Sequence, residues 1–204
     1  MRHGETTGNR DGVHQGWGEV ALTEKGEEQA RTLGRLLERS GIVFRRYICS
    51  DIYRAKQTAA LVFPQLEEGV IEYDTRLREI DNNIFAGQRS DDLLEKYGPE
   101  YKEYTQHLDY SPYGGESAES MLARTASFLK DLKDEGGDGN IAVLTHGGVI
   151  HAILANVLHS ELYLPRLRIG NCSITRIMID SYTNDWCVKY INLKADPETL
   201  LPRI

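Results

Sequence analysis

The run Ile141-Ala142-Val143-Leu144 is apolar at four consecutive positions. A strand with no polar face has to be covered on both faces, which is the situation of a central strand in a parallel sheet. Parallel strands in turn need crossover connections, usually helices. The residues that follow agree: His146-Gly147-Gly148 opens a stretch with Ile150, Ile153, Leu154 and Val157 at helical spacing. The pattern recurs earlier. Tyr47-Ile48-Cys49 reads as a short buried strand leading to Ser50-Asp51, and Ile52, Ala55, Ala59 and Val62 then share one helix face. Thr23 is placed as an N-cap before Ala30, Leu33, Leu36 and Leu37, with Ser40-Gly41 as the stop.

Further along, Val70 to Tyr73 reads as a brief strand, and residues 90 to 107 as a polar helix in two pieces broken at Gly98-Pro99. Ser117 to Lys133 gives a long amphipathic helix, while Ser173 to Asp180 and Trp186 to Asn192 form a closing pair of strands. The expected fold is therefore α/β: a three-layer sandwich with a mostly parallel central sheet and helices on both faces. Ligands of such sheets bind beyond the carboxyl ends of the strands. Both Ser50 to Arg54 and His146 to Gly148 fall at such ends.

The chain has 204 residues, without an internal repeat or a composition break, so residues 1–204 are read as a single domain. No apolar run reaches the ~20 residues of a membrane span, and no basic-then-apolar leader opens the sequence. The three cysteines, Cys49, Cys172 and Cys187, lack metal-ligand spacing. Disulfides and zinc are not expected, and a reducing cytoplasm fits. The formal net charge of -7 argues against nucleic acid or an anionic membrane as a partner. Any anionic ligand must be drawn by a local convergence of arginine and histidine.

Arg2-His3-Gly4-Glu5-Thr6 opens the chain. Alone the triplet carries little weight, but other pieces follow in order: Asn9, Gln15-Gly16, Leu22-Thr23 with Gly26 and Gln29-Ala30, Ser50-Asp51 with Arg54-Ala55 and Thr58, Leu77-Arg78-Glu79, Gly115-Glu116-Ser117, and His146-Gly147. Together, over nearly the whole length, these resemble the histidine phosphatase superfamily, or phosphoglycerate mutase-like family. The resemblance implies that fold and a phosphohistidine enzyme.

Phosphoryl transfer explains the residue types. A phosphate monoester dianion repels an anionic nucleophile, so a neutral imidazole is a sensible attacker. By resemblance this is His3. Gly4 lets backbone approach the phosphate. Charge on the phosphoryl oxygens must meet fixed donors, and Arg2, Arg54 and His146 match those family positions. An arginine fork can hold two oxygens at once. Asn9 matches a further phosphate contact, and Gln15, Gly16 and Gly147 are expected at the same site. Ser50 is read with two roles open, capping the following helix or contacting the ligand. The leaving alkoxide needs a proton and a later water must lose one, tasks that a single carboxyl can perform in turn. Glu79 matches the family's acid. Glu5 is expected to orient neighbours, and Glu116 to brace the lid or the groups behind the site. His14, His107, His151 and His159 have no motif support and are read as structural or solvated.

Two departures from the family stand out. A strand of several apolar residues normally precedes Arg-His-Gly, whereas here only Met1 does. Three readings stand open: the given chain is truncated, its start is misassigned, or another segment fills the slot. A missing central strand would remove a row of buried contacts, so the chain as written is expected to be unstable or inactive. Many members also follow the acid with Phe-Gly and then Trp-Glu-Gly. Here Asn82 and Asn83 replace the first pair, and Phe85-Ala86-Gly87 the second. Asn82 is expected to add hydrogen-bonding capacity for a polar leaving group such as a sugar or hydroxy acid.

Residues 80–116 are read as a lid or insert over the site. Cofactor-dependent phosphoglycerate mutases carry paired arginines there to grip a second anion. This chain has Arg89 alone, with Asp91, Asp92, Glu95, Glu100 and Glu103 nearby. The expected activity is a metal-independent, cofactor-free phosphatase of small phosphorylated metabolites. A mutase, a protein phosphohistidine or phosphotyrosine phosphatase and a non-catalytic phosphate-binding module are the alternatives, in that order. A homodimer is a possible assembly, and Phe85, Tyr101 and Tyr104 are candidates for lid, core or interface.

Overall fold

A computed structural model of the chain describes residues 1–160 and 167–194, apart from the side chain of Tyr104. The elements in chain order are α1 (Thr7–Asp11), α2 (Glu24–Ser40), β1 (Phe44–Cys49), α3 (Tyr53–Val62), β2 (Ile71–Tyr73), α4 (Ser90–Gln106), α5 (Ala118–Glu135), β3 (Asn140–Leu144), α6 (Gly147–Leu158), β4 (Ser173–Asp180) and β5 (Asp185–Lys194). Single 3-10 turns at Thr75–Leu77, Asn83–Phe85 and Ser111–Tyr113 join some of them.

β1 lies between β2 and β3, and all three are parallel. Tyr47 faces Ile71 on one side and Ala142 on the other, and Cys49 faces Tyr73 and Leu144. The strands therefore end level, at one rim. Alternation along β1 then splits the core in two. Ile48 packs with Met121, Phe128 and Val149 of α5 and α6, whereas Cys49 packs with Ala30, Leu33, Ala55 and Ala59 of α2 and α3. Helices on both faces of a parallel sheet make the three-layer α/β sandwich that the strand pattern implies. A fully buried leucine such as Leu33 contributes about 1.5–3 kcal/mol to this packing.

The helix boundaries have local causes. Thr23 accepts the Gly26 amide at 3.0 Å to cap α2, and Gly41 closes it in the left-handed conformation. Within α4 the helix breaks at Gly98, whose φ of 61° precedes Pro99. The segment between Ile80 and Glu116 packs around Phe85, which is fully buried among Tyr97, Tyr101, Tyr110 and Tyr113. Phe85 and Tyr101 are thus core residues of this insert, while Tyr104 lies outside the described side chains.

Strands β4 and β5 form an antiparallel hairpin. The slot expected for a strand ahead of Arg2 lies between β3 and β4, and Met1–His3 sits at its carboxyl end. Thr145 donates to Met1 O at 2.9 Å, and the His3 amide donates to Thr145 O at 3.0 Å. On the other side Arg2 N donates to Ser173 O at 3.2 Å, and Cys172 N to His3 O at 3.3 Å. Three residues therefore stitch the parallel sheet to the hairpin. Among the described residues no helix is long and apolar enough to cross a membrane.

Candidate active site

The level strand ends and the Met1–His3 stitch bring distant parts of the chain to one rim. A cavity of about 190 Å³ opens there, lined by Arg2, His3, Asn9, Gln15, Gly16, Arg54, Glu79 and Asn82, and walled by Val13, His14, Ile80, Leu108, Tyr110 and Gly148. Eight sequence-predicted residues thus share it. Gly4, Ser50, His146 and Gly147 stand behind the lining instead.

His3 is held through its backbone and its ring. Gly4 N donates to Thr58 Oγ1 at 3.0 Å, and a Cβ on Gly4 would collide with the Gly26 carbonyl, so glycine is required for the approach of α2. The Gly4 carbonyl lies 2.7 Å from His3 Nδ1. A carbonyl can only accept, so Nδ1 carries the proton and Nε2 keeps its lone pair. Burial, then the charges of Arg2 and Arg54, hold the His3 pKa well below its ordinary value. The ring is a neutral base of fixed tautomer.

Arg54 projects from the first turn of α3 and is 1% exposed. Its Nη2 donates to Gly16 O at 2.9 Å and its Nη1 to Gly18 O at 3.2 Å, which ties down the Gln15–Gly18 loop. Burial lowers its pKa to about 10, leaving it cationic at neutral pH. Arg2 Nη1 donates to Ile169 O at 2.5 Å. Among the described residues the buried Nε atoms of both arginines and Nδ1 of His146 have no hydrogen-bond partner. Buried polar atoms without a partner are rare in folded proteins, and three of them converging here point to a polar ligand.

His146 caps α6, its ring 5.2 Å from that of His3, and its Nε2 meets Ser50 Oγ at 2.8 Å. Burial and then Arg54 keep it neutral. Ser50 is fully buried; it accepts from Ile52 N at 3.3 Å, and α3 is capped by Ile52 without a side-chain bond. Asn9 accepts from Thr6 N at 3.3 Å and from Asn171 Nδ2 at 3.1 Å, and the same Asn171 nitrogen donates to His3 O at 3.1 Å. Gln15 accepts from Thr6 Oγ1 at 2.8 Å. Glu5 points away from the cavity, toward Thr23 and Lys25.

Glu79 brings a carboxylate to the same cavity. One oxygen accepts from Ile80 N at 3.0 Å and the other from Gly148 N at 3.2 Å, at the amino end of α6. Its backbone carbonyl accepts from Trp17 Nε1 at 2.7 Å and from Arg124 at 3.4 Å. Trp17 lies under the Arg78 guanidinium, 4.9 Å away, and Arg78 in turn pairs with Asp51. The Ser50-Asp51 motif thus serves both His146 and the acid segment. Asn82 is 4% exposed; its Oδ1 has no partner among the described residues and lies where a Cβ on Gly16 would collide.

Sequence reasoning missed Trp17, Arg124, Asn171 and Gly148. It also set His14 aside, yet His14 lines the cavity and bonds Tyr101. Only Gly148 carried a signal: a second glycine at a helix start, where a Cβ would strike Glu79. Among the described residues no group of three or more His, Cys, Asp or Glu side chains is placed to hold a metal ion.

A neutral histidine, the buried Arg54, the part-buried Arg2 and a carboxyl group meet at the carboxyl ends of parallel strands and make a concentrated site for an anion. The chain belongs to the histidine phosphatase superfamily (branch 1), whose sequence profile matches residues 1–193. It is 30% identical over 159 residues to a 2,3-bisphosphoglycerate-dependent phosphoglycerate mutase of Afipia carboxidovorans, covering 76% of this chain and 77% of that one. It is 28% identical over 179 residues to a broad-specificity phosphatase of Saccharomyces cerevisiae, covering 86% and 76%. The alpha-ribazole phosphatase of Shigella flexneri superposes with a TM-score of 0.81 at 26% identity, covering 94% of each chain.

Proposed function

We propose that the protein hydrolyses small phosphate monoesters through a phosphohistidine on His3, without a metal or other cofactor. The observation that carries this reading is the His3 ring, whose Nδ1 is committed to Gly4 O while the ring stays neutral beside Arg2 and the buried Arg54. His3 Nε2 attacks phosphorus as the ester P–O bond breaks, and Glu79 gives its proton to the departing alkoxide. Glu79 then takes a proton from water as that water attacks phosphorus and the P–N bond breaks, returning its electron pair to His3 Nε2. Inorganic phosphate leaves, and both side chains regain their starting states. Arg2, Arg54 and His146 meet the charge on the phosphoryl oxygens.

Water as the acceptor, rather than a second hydroxyl, is supported by the wall beyond the phosphate-binding groups. Among the described residues that wall, formed by Val13, His14, Ile80, Asn82, Leu108 and Tyr110, includes no lysine or arginine to grip a second anion. A cavity of about 190 Å³ suits a phosphate with a short leaving group better than a folded protein segment. The test is phosphate release from a panel of phosphomonoesters in the presence of chelator, comparing the parent with His3→Ala. Release by the parent that vanishes in the variant supports the reading. Loss of the parent activity in chelator overturns its metal independence. Conversion of a phosphorylated hydroxy acid to its positional isomer without phosphate release identifies a mutase.

A further inference from the structure

The segment that carries Glu79 belongs to no sheet. It runs from the turn Thr75–Leu77 to the turn Asn83–Phe85, and its position is set by side chains reaching in from elsewhere. Trp17 Nε1 holds the Glu79 carbonyl at 2.7 Å and Thr145 Oγ1 the Leu77 carbonyl at 2.8 Å, and one guanidinium spans the segment. Arg124, on α5, donates from Nη1 to Arg76 O at 2.5 Å and from Nη2 to Glu79 O at 3.4 Å. Its Nε and Nη2 also grip the Glu116 carboxylate at 2.6 and 2.9 Å. Glu116 continues the connection: its amide donates to Asp81 O at 2.8 Å, and its Oε2 accepts from Asp81 N at 3.4 Å. The ion pair is largely buried, with side chains 16% and 10% exposed. It therefore fastens the chain at residues 76, 79 and 81, on both sides of the acid and at the acid itself.

We propose that Arg124 and Glu116 are positioning residues that act through Glu79, holding its carboxyl in register with the ester oxygen. The proposal rests on the reading of Glu79 as the proton donor. Proton transfer in the transition state requires hydrogen-bond reach, and catalytic groups lose effect when displaced by a fraction of an ångström. An irregular segment freed of its bracket cannot keep that tolerance. Arginine is suited to the position because one planar fork serves two carbonyls and a carboxylate together, which an ammonium cannot do.

The leaving group separates positioning from simple structural damage. p-Nitrophenyl phosphate releases a stable phenolate that needs no proton, whereas glycerol phosphate releases an alkoxide that does. The experiment measures kcat/KM for both esters in the parent, Glu79→Gln, Arg124→Ala, Arg124→Lys and Glu116→Gln, with the melting temperature of each. The expected result is that Arg124→Ala and Glu116→Gln lower the glycerol phosphate to p-nitrophenyl phosphate ratio at least tenfold, in the direction of Glu79→Gln. Arg124→Lys, which keeps the charge and loses the fork, should fall between and serves if Arg124→Ala does not fold. Adding Arg124→Ala to Glu79→Gln should move the ratio no further. Equal losses on both esters, or an unchanged ratio, overturn the positioning role while leaving the phosphatase reading intact. A folded parent inert toward both esters overturns both.

Discussion

Gly148 donates its amide to one Glu79 carboxylate oxygen at 3.2 Å, and a Cβ on Gly148 would collide with the other. The start of α6 thus holds the acid while leaving it no spare room. Gly148→Ala should displace the carboxylate and lower kcat/KM for alkyl phosphates by about 10- to 100-fold, a partial loss of the roughly 10²–10⁴-fold that general acid catalysis supplies. The helix itself favours alanine, so the far-ultraviolet circular dichroism should match the parent. Parental kinetics in this variant would mean that the carboxylate can act from elsewhere.

Arg54 combines two tasks. Two of its nitrogens hold the Gly16 and Gly18 carbonyls, and its Nε is a buried donor without a partner in the described protein. Arg54→Lys should lower kcat/KM by about 100-fold, as for removal of one preorganised donor. Urea unfolding should also show a loss of about 1–3 kcal/mol, because a buried carbonyl is left without its bond. A variant with full stability and activity would contradict both assignments.

The two neutral histidines make stability depend on pH in a defined window. Burial depresses the folded pKa values of His3 and His146, whereas the unfolded chain takes up protons near the ordinary value of about 6.5. The unfolded state then binds more protons, so stability falls as pH drops below about 6.5. Each histidine contributes at most about 1.4 kcal/mol per pH unit. Unfolding free energies between pH 7 and 5.5 should show this slope, and His3→Ala should make it shallower. The same neutrality means that kcat/KM should persist as pH falls through 6.5. An acid limb centred at 6.5 would show that the nucleophile titrates normally.

How much of this was legible in the sequence follows the range of the interactions involved. Strands β1 and β3 and helices α2, α3, α5 and α6 were readable because each carries its own apolar period and stop signals within a dozen or so residues. The break in α4 was readable from Gly98-Pro99 alone. The five-residue helix α1 was not, since it is too short for a period and is held by the Thr6 cap. His3, Arg54 and Glu79 were marked by ordered motifs. Arg124, Trp17 and Asn171 were not, because each works through hydrogen bonds to backbone carbonyls distant in sequence, and no local pattern announces such a bond. Ser50 was read as either a cap or a ligand contact; the cap of α3 is Ile52, and the Ser50 hydroxyl joins His146 across 96 positions of sequence.

Asn82 is where the chain departs from its family beside the acid, and its buried amide has an oxygen without a partner among the described residues. Asn82→Ala should change the order of preference among esters that differ by a hydroxyl next to the scissile oxygen, by about five- to tenfold per lost hydrogen bond. Competition assays with glycerol phosphate and propyl phosphate would measure this. An identical order in parent and variant would remove Asn82 from substrate choice.

The three-residue stitch that joins the parallel sheet to the β4–β5 hairpin is also the mount of His3, the proposed nucleophile. His3 is fastened through its amide to Thr145 and through its carbonyl to Cys172 and Asn171. Parting of the hairpin from the helical layers would take the reactive nitrogen out of line before any helix melts. Heat inactivation should therefore run ahead of the loss of helical signal, with catalysis the most sensitive reporter of whether the two halves of the molecule are still together.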